Sequence, residues 1–320
     1  MSEFNAVGVV GAGNYGMAIA QCFSKKVLDV LLISNLEASL DGLNERLRNI
    51  TSNSECRLAD NIGYTDDFSR AGGCALIFIA VPAAAVADVC RQIRDFGIDA
   101  PLVICSKGFD GKNGRLLSAV VEEMLPNQFL VLSGPSFAGE IARGLPAAVN
   151  VAGKDHELSE RVAVSLSSDS FKIKPIDDYI GLQVSGAMKN ALAVGCGILS
   201  GLNLGESAVA QFIVNGFREM GELALALGGR RESFWEVGGL GDVVLTCTSR
   251  QSRNIALGKH LAVGGDLDSA AGCLAEGVFT IKAVPVIEKK NGVKLPLFSE
   301  LHSVVYGNRD LRKFSVAVLK

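Results

Sequence analysis

A glycine pattern near the N-terminus constrains the fold more than any other feature of this sequence. Residues 6–10 form a short apolar run, residues 11–16 read G-A-G-N-Y-G, and a helical pattern begins at residue 17. In such a strand–turn–helix setting the first glycine permits a tight turn, the second lets a pyrophosphate approach the backbone, and the third lets helix and strand pack closely. The N–H groups at the start of the helix can then bind the phosphates. The sequence therefore predicts a dinucleotide site at Gly11, Gly13 and Gly16.

The apolar runs that follow are spaced as in alternating strands and helices. They occupy residues 29–33, 75–81, 102–105, 129–132, 147–151 and 171–173. This alternation predicts a mainly parallel sheet. From residue 180 onward the pattern is helical, with segments at 180–200, 206–227, 252–263, 275–291, 296–306 and 309–319. We therefore expect an α/β chain with a Rossmann-type dinucleotide-binding domain at residues 1–184 and an all-α substrate-binding domain at residues 185–320.

Composition and charge exclude several classes of protein. The chain has 31 Lys and Arg against 34 Asp and Glu, a formal net charge of −3, so nucleic acid and anionic membranes are not expected partners. No apolar run reaches the roughly 18 residues that would span a bilayer, and we see no signal peptide. The eight cysteines form no CxxC pair and the three histidines are far apart, so we expect reduced core thiols, no metal site and a cytoplasmic protein. The single tryptophan, Trp235, and its neighbour Phe234 are expected in the core.

The residues at the adenosine end leave the form of the cofactor open. A dinucleotide site places a ribose-reading acid about 20 residues beyond its glycines, at the end of the second strand. This sequence has Ser34-Asn35 there, so no carboxylate would repel a 2′-phosphate. Arg46 and Arg48 lie downstream, where they would either pair with such a phosphate or lie on a solvated helix face. We therefore expect NAD or NADP as the cofactor.

One lysine stands in a helical stretch made otherwise of small and apolar residues. Residues 185–192 read S-G-A-M-K-N-A-L, and the nearest acids in the chain are Asp178 and Glu206. A buried ammonium is costly without a partner, so Lys189 must be met by a residue from elsewhere. The glycines of this stretch lower helix propensity and predict close helix–helix contact. A second lysine, Lys107, follows a strand, where it lies either at the ligand-binding edge of the sheet or simply on the surface.

Two further stretches combine glycine with polar side chains. Residues 133–140 read S-G-P-S-F-A-G-E after a strand, which indicates either a loop exposing N–H and hydroxyl groups or an ordinary turn with Ser136 as a helix N-cap. Residues 238–254 contain a glycine-rich turn that presents Asp242, then Thr246, then S-R-N at the next helix start. That set suits a phosphorylated polyol, or else a capped helix start with an exposed arginine.

Six motifs together resemble one enzyme family. They are G-A-G-N-Y-G at 11–16, S-K-G at 106–108, S-G-P-S-F-A at 133–138, M-K-N at 188–190, G-D-V-V-L-T-C-T at 241–248 and Q-S-R-N at 251–254. In this order and spacing they closely resemble bacterial NAD(P)-dependent glycerol-3-phosphate dehydrogenase over essentially the whole chain. The resemblance implies a Rossmann domain followed by a helical domain as in 6-phosphogluconate dehydrogenases. It also implies a homodimer that interconverts dihydroxyacetone phosphate and sn-glycerol 3-phosphate with NAD(P)H for glycerophospholipid synthesis.

The resemblance also assigns site residues. The general acid/base lysine of the family falls on Lys189 and its second active-site lysine on Lys107, and we expect Asp242 to hold the lysine head group. The expected substrate-binding residues are Lys107, Gly134, Ser136, Lys189, Asn190, Asp242, Thr246, Ser252, Arg253 and Asn254. The expected cofactor-binding residues are Gly11, Gly13, Asn14, Tyr15, Gly16, Asn35, Lys107, Ala138, Arg253, Leu274 and Glu276.

Two other functions are compatible with the sequence. One is a β-hydroxyacid or 6-phosphogluconate-type NAD(P) dehydrogenase, which shares the two-domain plan, although the adjacent Lys189-Asn190 and the block at 241–254 favour a phosphorylated polyol. The other is a non-catalytic NAD(P)-binding module, which leaves Lys189, Asp242 and Arg253 without a role. The chain departs from the family at Asn14, where serine or threonine is more usual, and at residues 34–36, where a His-Asp-like pair is more usual.

Overall fold

The computed structural model describes residues 3–34, 39–111, 113–267 and 275–307, together with residues 311 and 314. The chain divides into two compact units. The first unit comprises residues 1–106 and 117–179, and the second comprises residues 107–116 and 180–320. The division after residue 179 differs from the expected boundary at 184/185. The second unit also includes ten residues, 107–116, that the sequence pattern assigned to the first.

The first unit is built on one eight-stranded sheet in the order β3-β2-β1-β4-β5-β6-β7-β8. The strands are β1 (Ala6–Val10), β2 (Asp29–Ile33), β3 (Ile62–Thr65), β4 (Leu76–Ile79), β5 (Leu102–Ile104), β6 (Phe129–Ser133), β7 (Ala147–Gly153) and β8 (Phe171–Pro175). Every neighbouring pair is parallel except β6 and β7, which are antiparallel. All the apolar runs predicted as strands lie in this sheet. Strands β4, β5 and β6 are buried at every residue, as expected where helices cover both faces.

Six helices of the first unit connect these strands. They are α1 (Asn14–Phe23), α2 (Leu40–Thr51), α3 (Val86–Asp95), α4 (Leu117–Met124), α5 (Ala138–Ala142) and α6 (His156–Leu166). The first six strands have the order 3-2-1-4-5-6, in which the strand order reverses at β1. In open α/β sheets, ligands bind beyond the strand carboxyl ends at such a reversal. The glycine pattern at residues 11–16 follows β1 directly, so the fold places it at this position.

The second unit is helical, as predicted. Its helices are α7 (Tyr179–Gly201), α8 (Glu206–Ala226), α9 (Asp242–Thr248), α10 (Arg253–Ala262), α11 (Glu276–Asn291) and α12 (Pro296–Tyr306). Helix α7 is buried continuously from Gly181 to Leu199, which makes it the central helix of this unit. The segment predicted as a helix at 309–319 falls largely outside the described residues. Within the described ranges, no helix combines the length and the apolar character needed to cross a membrane.

Glycines allow the central helix to touch its neighbours, which confirms the predicted close helix–helix contact. A Cβ on Gly197 of α7 would lie 2.3 Å from the carbonyl oxygen of Ile255 in α10. A Cβ on Gly258 of α10 would lie 2.1 Å from the carbonyl oxygen of Val194 in α7. The two backbones are therefore in contact at this crossing, and neither glycine position has room for a methyl group.

The expectation that Trp235 lies in the core is wrong. The side chain of Phe234 is buried at 4% exposure, whereas that of Trp235 is 73% exposed. Both residues belong to the short 3₁₀ turn Glu232–Trp235, in which neighbouring side chains point in different directions. The tryptophan ring makes an edge-to-face contact with Phe217, with 6.2 Å between the two ring centroids.

The α7–α10 crossing predicts opposite outcomes for two glycine substitutions. Gly258→Ala should lower the melting temperature by several degrees, because its methyl group must displace the α7 backbone and overpacking of this kind costs about 1–3 kcal/mol. The matched control is Gly221→Ala in α8, where no atom lies within 4 Å of the added Cβ and alanine is the better helix former by about 1 kcal/mol. Differential scanning calorimetry measures both. Equal melting temperatures for the two variants would contradict the packing described here.

Candidate active site

The glycine pattern of the first unit has the geometry of a dinucleotide loop. Gly11 has φ +110°, and a Cβ there would lie 2.5 Å from the carbonyl oxygen of Ala80. A Cβ on Gly16 would lie 1.8 Å from the carbonyl oxygen of Gly11. Gly13 differs, since nothing lies within 4 Å of its Cβ position. It is the N-cap residue of α1, and no side chain accepts a hydrogen bond from the N–H groups of the first turn at this position. The loop is thus closed on the sheet side and open above Gly13, which fits a pyrophosphate against the backbone.

A second loop of the first unit meets the glycine pattern. The hydroxyl groups of Tyr15 and Ser136 lie 3.4 Å apart, and Ser136 also donates to the carbonyl oxygen of Gly134 at 3.0 Å. Ser136 is therefore not the N-cap of α5, as one interpretation of the sequence held, because Phe137 occupies that position without a side-chain cap. The structure brings Tyr15, Gly134 and Ser136 together on the side of the sheet where β1 and β6 end, and Ala138 begins α5 two residues after Ser136.

Three charged side chains meet in the second unit, although they are far apart in the chain. Asp242, at the start of α9, accepts from the ammonium of Lys189 in α7 through Oδ1 at 2.5 Å. Its Oδ2 accepts from the ammonium of Lys107 at 2.8 Å. One carboxylate thus bridges two lysines, and the predicted contact between Asp242 and Lys189 is present. Lys189 also donates to the hydroxyl oxygen of Thr246 at 2.9 Å.

Burial shapes the electrostatics of this cluster. Exposure is 1% for the side chain of Asp242, 7% for Lys189 and 20% for Lys107. Burial lowers the pKa of Lys189 from 10.5 to about 8, an effect that Asp242 opposes and the like charge of Lys107 reinforces. Burial alone would raise the pKa of Asp242, but the two ammonium groups hold it below its ordinary value. The cluster therefore carries one net positive charge when both lysines are protonated, and Lys189 can exchange a proton near neutral pH.

The segment before Asp242 is not the turn that its glycines predicted. Val237–Gly241 forms a single π-helical turn that continues directly into α9, and this turn sets where the Asp242 side chain starts. The hydroxyl of Ser185 donates to the carbonyl oxygen of Gly239 at 3.4 Å, which ties the turn to α7. Single π-helical turns are rare in proteins and occur frequently at functional sites.

A second polar chain lies one residue further along α7. Asn254 donates through Nδ2 to Oδ1 of Asn190 at 3.1 Å, and its own Oδ1 accepts from the backbone N–H of Gly277 at 3.0 Å. Asn190 and Asn254 are both buried. Because the oxygen of Asn190 is used by Asn254, the amide group of Asn190 presents its N–H donors on its other side. A Cβ on Gly277 would lie 2.4 Å from the carbonyl oxygen of Asn190, so only glycine fits there.

The start of α10 combines a helix cap with an exposed arginine. Ser252 accepts from the backbone N–H of Ile255 at 3.4 Å and is the N-cap of this helix, with only 3% exposure. Arg253, the next residue, has an exposed side chain. Burial raises the pKa of Glu276, which Arg253 partly opposes, so the two side chains are within electrostatic range. An exposed guanidinium at a helix N-terminus is suited to binding an anionic group.

The expected site residues fall into three groups. The first unit holds Gly11, Gly13, Asn14, Tyr15, Gly16, Gly134, Ser136 and Ala138, and the second holds Lys107, Lys189, Asn190, Asp242, Thr246, Ser252, Arg253, Asn254 and Glu276. Asn35 and Leu274 lie outside the described residues. Gly277 was not among the expected site residues, although it follows Glu276 directly at a predicted helix start. Among the described residues, no three His, Cys, Asp or Glu side chains are grouped so that they could hold a metal ion.

Comparison with known proteins identifies the family. The N-terminal model of NAD-dependent glycerol-3-phosphate dehydrogenase matches residues 6–159, and the C-terminal model matches residues 178–315. The glycerol-3-phosphate dehydrogenase (NAD(P)+) of Caulobacter vibrioides is 39% identical over 311 residues, which are 95% of this chain and 93% of that protein. The enzyme of the same name from Maricaulis maris is 36% identical over 316 residues, 97% of this chain and 95% of that protein.

A solved structure agrees with these sequence matches. The crystal structure of glycerol-3-phosphate dehydrogenase from Coxiella burnetii superposes with a TM-score of 0.88 at 30% identity, and 99% of each chain is covered. Both the predicted fold class and the family predicted from the six motifs are therefore confirmed. The chain belongs to the NAD-dependent glycerol-3-phosphate dehydrogenase family.

Proposed function

We propose that this chain interconverts dihydroxyacetone phosphate and sn-glycerol 3-phosphate with NADH or NADPH, and so supplies glycerophospholipid synthesis. The observation that carries the proposal is the carboxylate of Asp242 bridging Lys107 and Lys189, in a chain of this family. Reduction of the substrate ketone generates negative charge on its oxygen and requires a proton there. The cluster offers both a net positive charge and a lysine that can give up a proton near neutral pH.

Lys189 acts as the general acid in the reductive direction and as the general base in the oxidative direction. The cofactor supplies or accepts the hydride at the substrate carbon. Lys189 transfers the proton at the substrate oxygen, since its ammonium is buried and its pKa of about 8 is suited to transfer in both directions. Asp242 and Thr246 hold this ammonium in place from α9. Their task is orientation, because a small misplacement of a catalytic group lowers the rate strongly.

Lys107 stabilises the charge that develops on the substrate oxygen. Its ammonium is fixed by Asp242 at 2.8 Å, and its side chain keeps 20% exposure. A fixed cation of this kind favours the alkoxide over the ketone, because it does not need to reorganise during the reaction.

The phosphate of the substrate binds at the start of α10. Arg253 contributes a charge-assisted contact, and Asn254 contributes hydrogen-bond capacity at the same helix N-terminus. Asn190 presents its amide donors to the polyol, in the orientation that Asn254 fixes. Ser252 serves this site by capping the helix.

The first unit binds the cofactor. The dinucleotide loop is formed by Gly11, Gly13 and Gly16, and the space above Gly13 is open for the cofactor. Tyr15 and Ala138 flank this loop. Since Ser34 stands where an acid would select NAD, either form of the cofactor is compatible with the chain.

The proposal extends to compartment and assembly. Six cysteines of the described chain are buried and form no disulfide, as suits the reducing cytoplasm, namely Cys22, Cys74, Cys90, Cys105, Cys196 and Cys247. The helical unit exposes Trp235 at 73% and Val214 at 58%, and apolar surface of this kind is suited to a homodimer.

The proton-transfer role predicts a large loss of turnover in Lys189→Met. Purified enzyme should oxidise NADH or NADPH when dihydroxyacetone phosphate is added, and the variant should lose about 10²- to 10⁴-fold in kcat, the usual worth of general acid catalysis. Cofactor affinity, measured by fluorescence titration, should not change. Lys282→Met, at an exposed lysine of α11, is the control. A kcat within about tenfold of wild type would contradict the assignment of Lys189.

The pKa of Lys189 predicts how the two directions depend on pH. Oxidation of glycerol 3-phosphate needs the neutral amine, so kcat/KM should rise about tenfold per pH unit until it levels near pH 8. Reduction needs the ammonium, so its rate should fall above the same midpoint. Steady-state rates over pH 6–10 in both directions measure this. A midpoint near the ordinary lysine value of 10.5 would show that burial does not act on Lys189 as described.

The phosphate-binding role predicts a selective defect in Arg253→Ala. KM for dihydroxyacetone phosphate should rise about 10- to 100-fold, since a hydrogen bond to a charged group is worth about 1.5–3 kcal/mol. Turnover of unphosphorylated dihydroxyacetone should change little. Arg250→Ala, an exposed arginine just before the helix, is the matched control and should leave KM unchanged. An equal loss with both substrates would rule out a phosphate contact.

A further inference from the structure

Residues 107–116 are an unusual connection between a strand and a helix. They lie between β5 and α4 of the first unit, yet they belong to the second unit. An ordinary connection would join the strand to the helix within a few residues. This segment, which we name the strap, instead begins with Lys107, one of the two lysines that Asp242 holds.

The strap is a closed hairpin-like loop. Phe109 and Leu116 form an antiparallel bridge. Inside it, the N–H of Asp110 donates to the carbonyl oxygen of Arg115 at 2.8 Å, and the N–H of Gly114 donates to the carbonyl oxygen of Asp110 at 2.8 Å. The carboxylate of Asp110 also lies 3.5 Å from Nε of Arg115. These contacts fix the conformation of the described residues of the strap, 107–111 and 113–116.

The strap is anchored at both ends and at its tip. Phe109 and Leu116 are buried at 6% and 7% exposure in the core of the second unit. Gly114 has φ +60°, and a Cβ there would lie 3.0 Å from Cγ1 and 3.3 Å from the backbone nitrogen of Ile287 in α11. The tip thus packs tightly against α11, and a methyl group on Gly114 would need Ile287 to shift by a few tenths of an ångström, on a backbone conformation that alanine rarely adopts.

We propose that the strap is a positioning device that holds the Lys107 ammonium against Asp242, with Phe109, Gly114 and Leu116 as its positioning residues. The inference rests on the proposed catalytic roles of Lys107 and Lys189. Lys107 is separated from the anchor Phe109 only by Gly108, whose φ of +142° is a conformation that other residues rarely adopt. The lysine therefore leaves the anchored loop in a defined direction.

This position matters because Lys107 acts on Lys189. The charged groups whose fields reach Lys189 are Asp242 from α9 and Lys107 from the strap. Asp242 favours the protonated form and Lys107 disfavours it. If the strap loosens, the ammonium of Lys107 moves into solvent and the pKa of Lys189 rises toward its ordinary value. A positioning defect then appears as a shift in the pH profile, which a general loss of stability would not produce.

The test compares two glycines of the strap. Gly114→Ala should strain the tip, because alanine rarely adopts φ +60° and its methyl group crowds Ile287 of α11. Gly111→Ala is the control, because no atom lies within 4 Å of its Cβ. We expect Gly114→Ala to lower kcat about tenfold or more, since small displacements of a catalytic group have large effects. The midpoint of glycerol 3-phosphate oxidation should move upward by about half a pH unit or more, in the direction of Lys107→Met. Gly111→Ala should keep both the wild-type rate and the wild-type profile.

The outcomes separate this inference from the proposed function. If Lys107→Met keeps the wild-type kcat and profile, the catalytic role of Lys107 fails and this inference fails with it. If Lys107→Met is impaired but Gly114→Ala behaves as Gly111→Ala, only the strap inference is overturned. Should Gly114→Ala not fold, as judged by circular dichroism, Phe109→Leu provides the same comparison, with Phe298→Leu in α12 as a control that is also buried but lies outside the strap. A loss of rate without a shift of the midpoint in the folded variant also overturns the inference.

Discussion

The carboxylate of Asp242, shared between the ammonium groups of Lys107 and Lys189, is the interaction on which the rest of the helical unit depends. Taking three charges out of water is costly, and removing one partner of such a pair leaves an uncompensated buried charge worth about 3–5 kcal/mol. The three residues come from the strap, α7 and α9, so the cluster forms only when all three elements are packed. The central position of α7 places Lys189 in the cluster, and the π-helical turn before α9 places Asp242 there.

Glycine is the means by which the helices come close enough to build the site. Gly258 lets the α10 backbone touch α7, and α10 carries Arg253 and Asn254 at its start. Gly277 does the same at the start of α11, where its N–H fixes Asn254, which in turn fixes Asn190. Packing and polar orientation are therefore not separate properties here, because the same close approach that excludes a methyl group also sets the direction of an amide.

The sequence predicted features that depend on local pattern and left open those that depend on distant contacts. The glycine loop, the strands and the helices follow from periodicity and turn chemistry, which act within a few residues. The need of Lys189 for a partner followed from the cost of burying a charge. Asp242 was predicted to be that partner because residues 241–248 resemble a motif of the family. The fate of Trp235, the π-helical form of residues 237–241 and the membership of the strap in the second unit depend on tertiary packing, which no local pattern encodes. The assignment of individual substrate and cofactor contacts stays a prediction.

The second lysine has two electrostatic effects on the site, and the carboxylate of Asp242 limits one of them. A second positive charge favours an oxyanion, but it also makes Lys189 release its proton more readily, and without Asp242 two ammonium groups in a buried site would repel each other. With Asp242 between them, the cluster keeps one net positive charge while Lys189 has a pKa of about 8. A lysine with its ordinary pKa would be a reluctant proton donor, and a lysine buried alone would be neutral. In the mechanism that we propose, the distance from Lys107 to Asp242 sets both the field at the substrate oxygen and the proton affinity of Lys189. The element that carries Lys107 then has to be held as firmly as the helices that carry the other two residues.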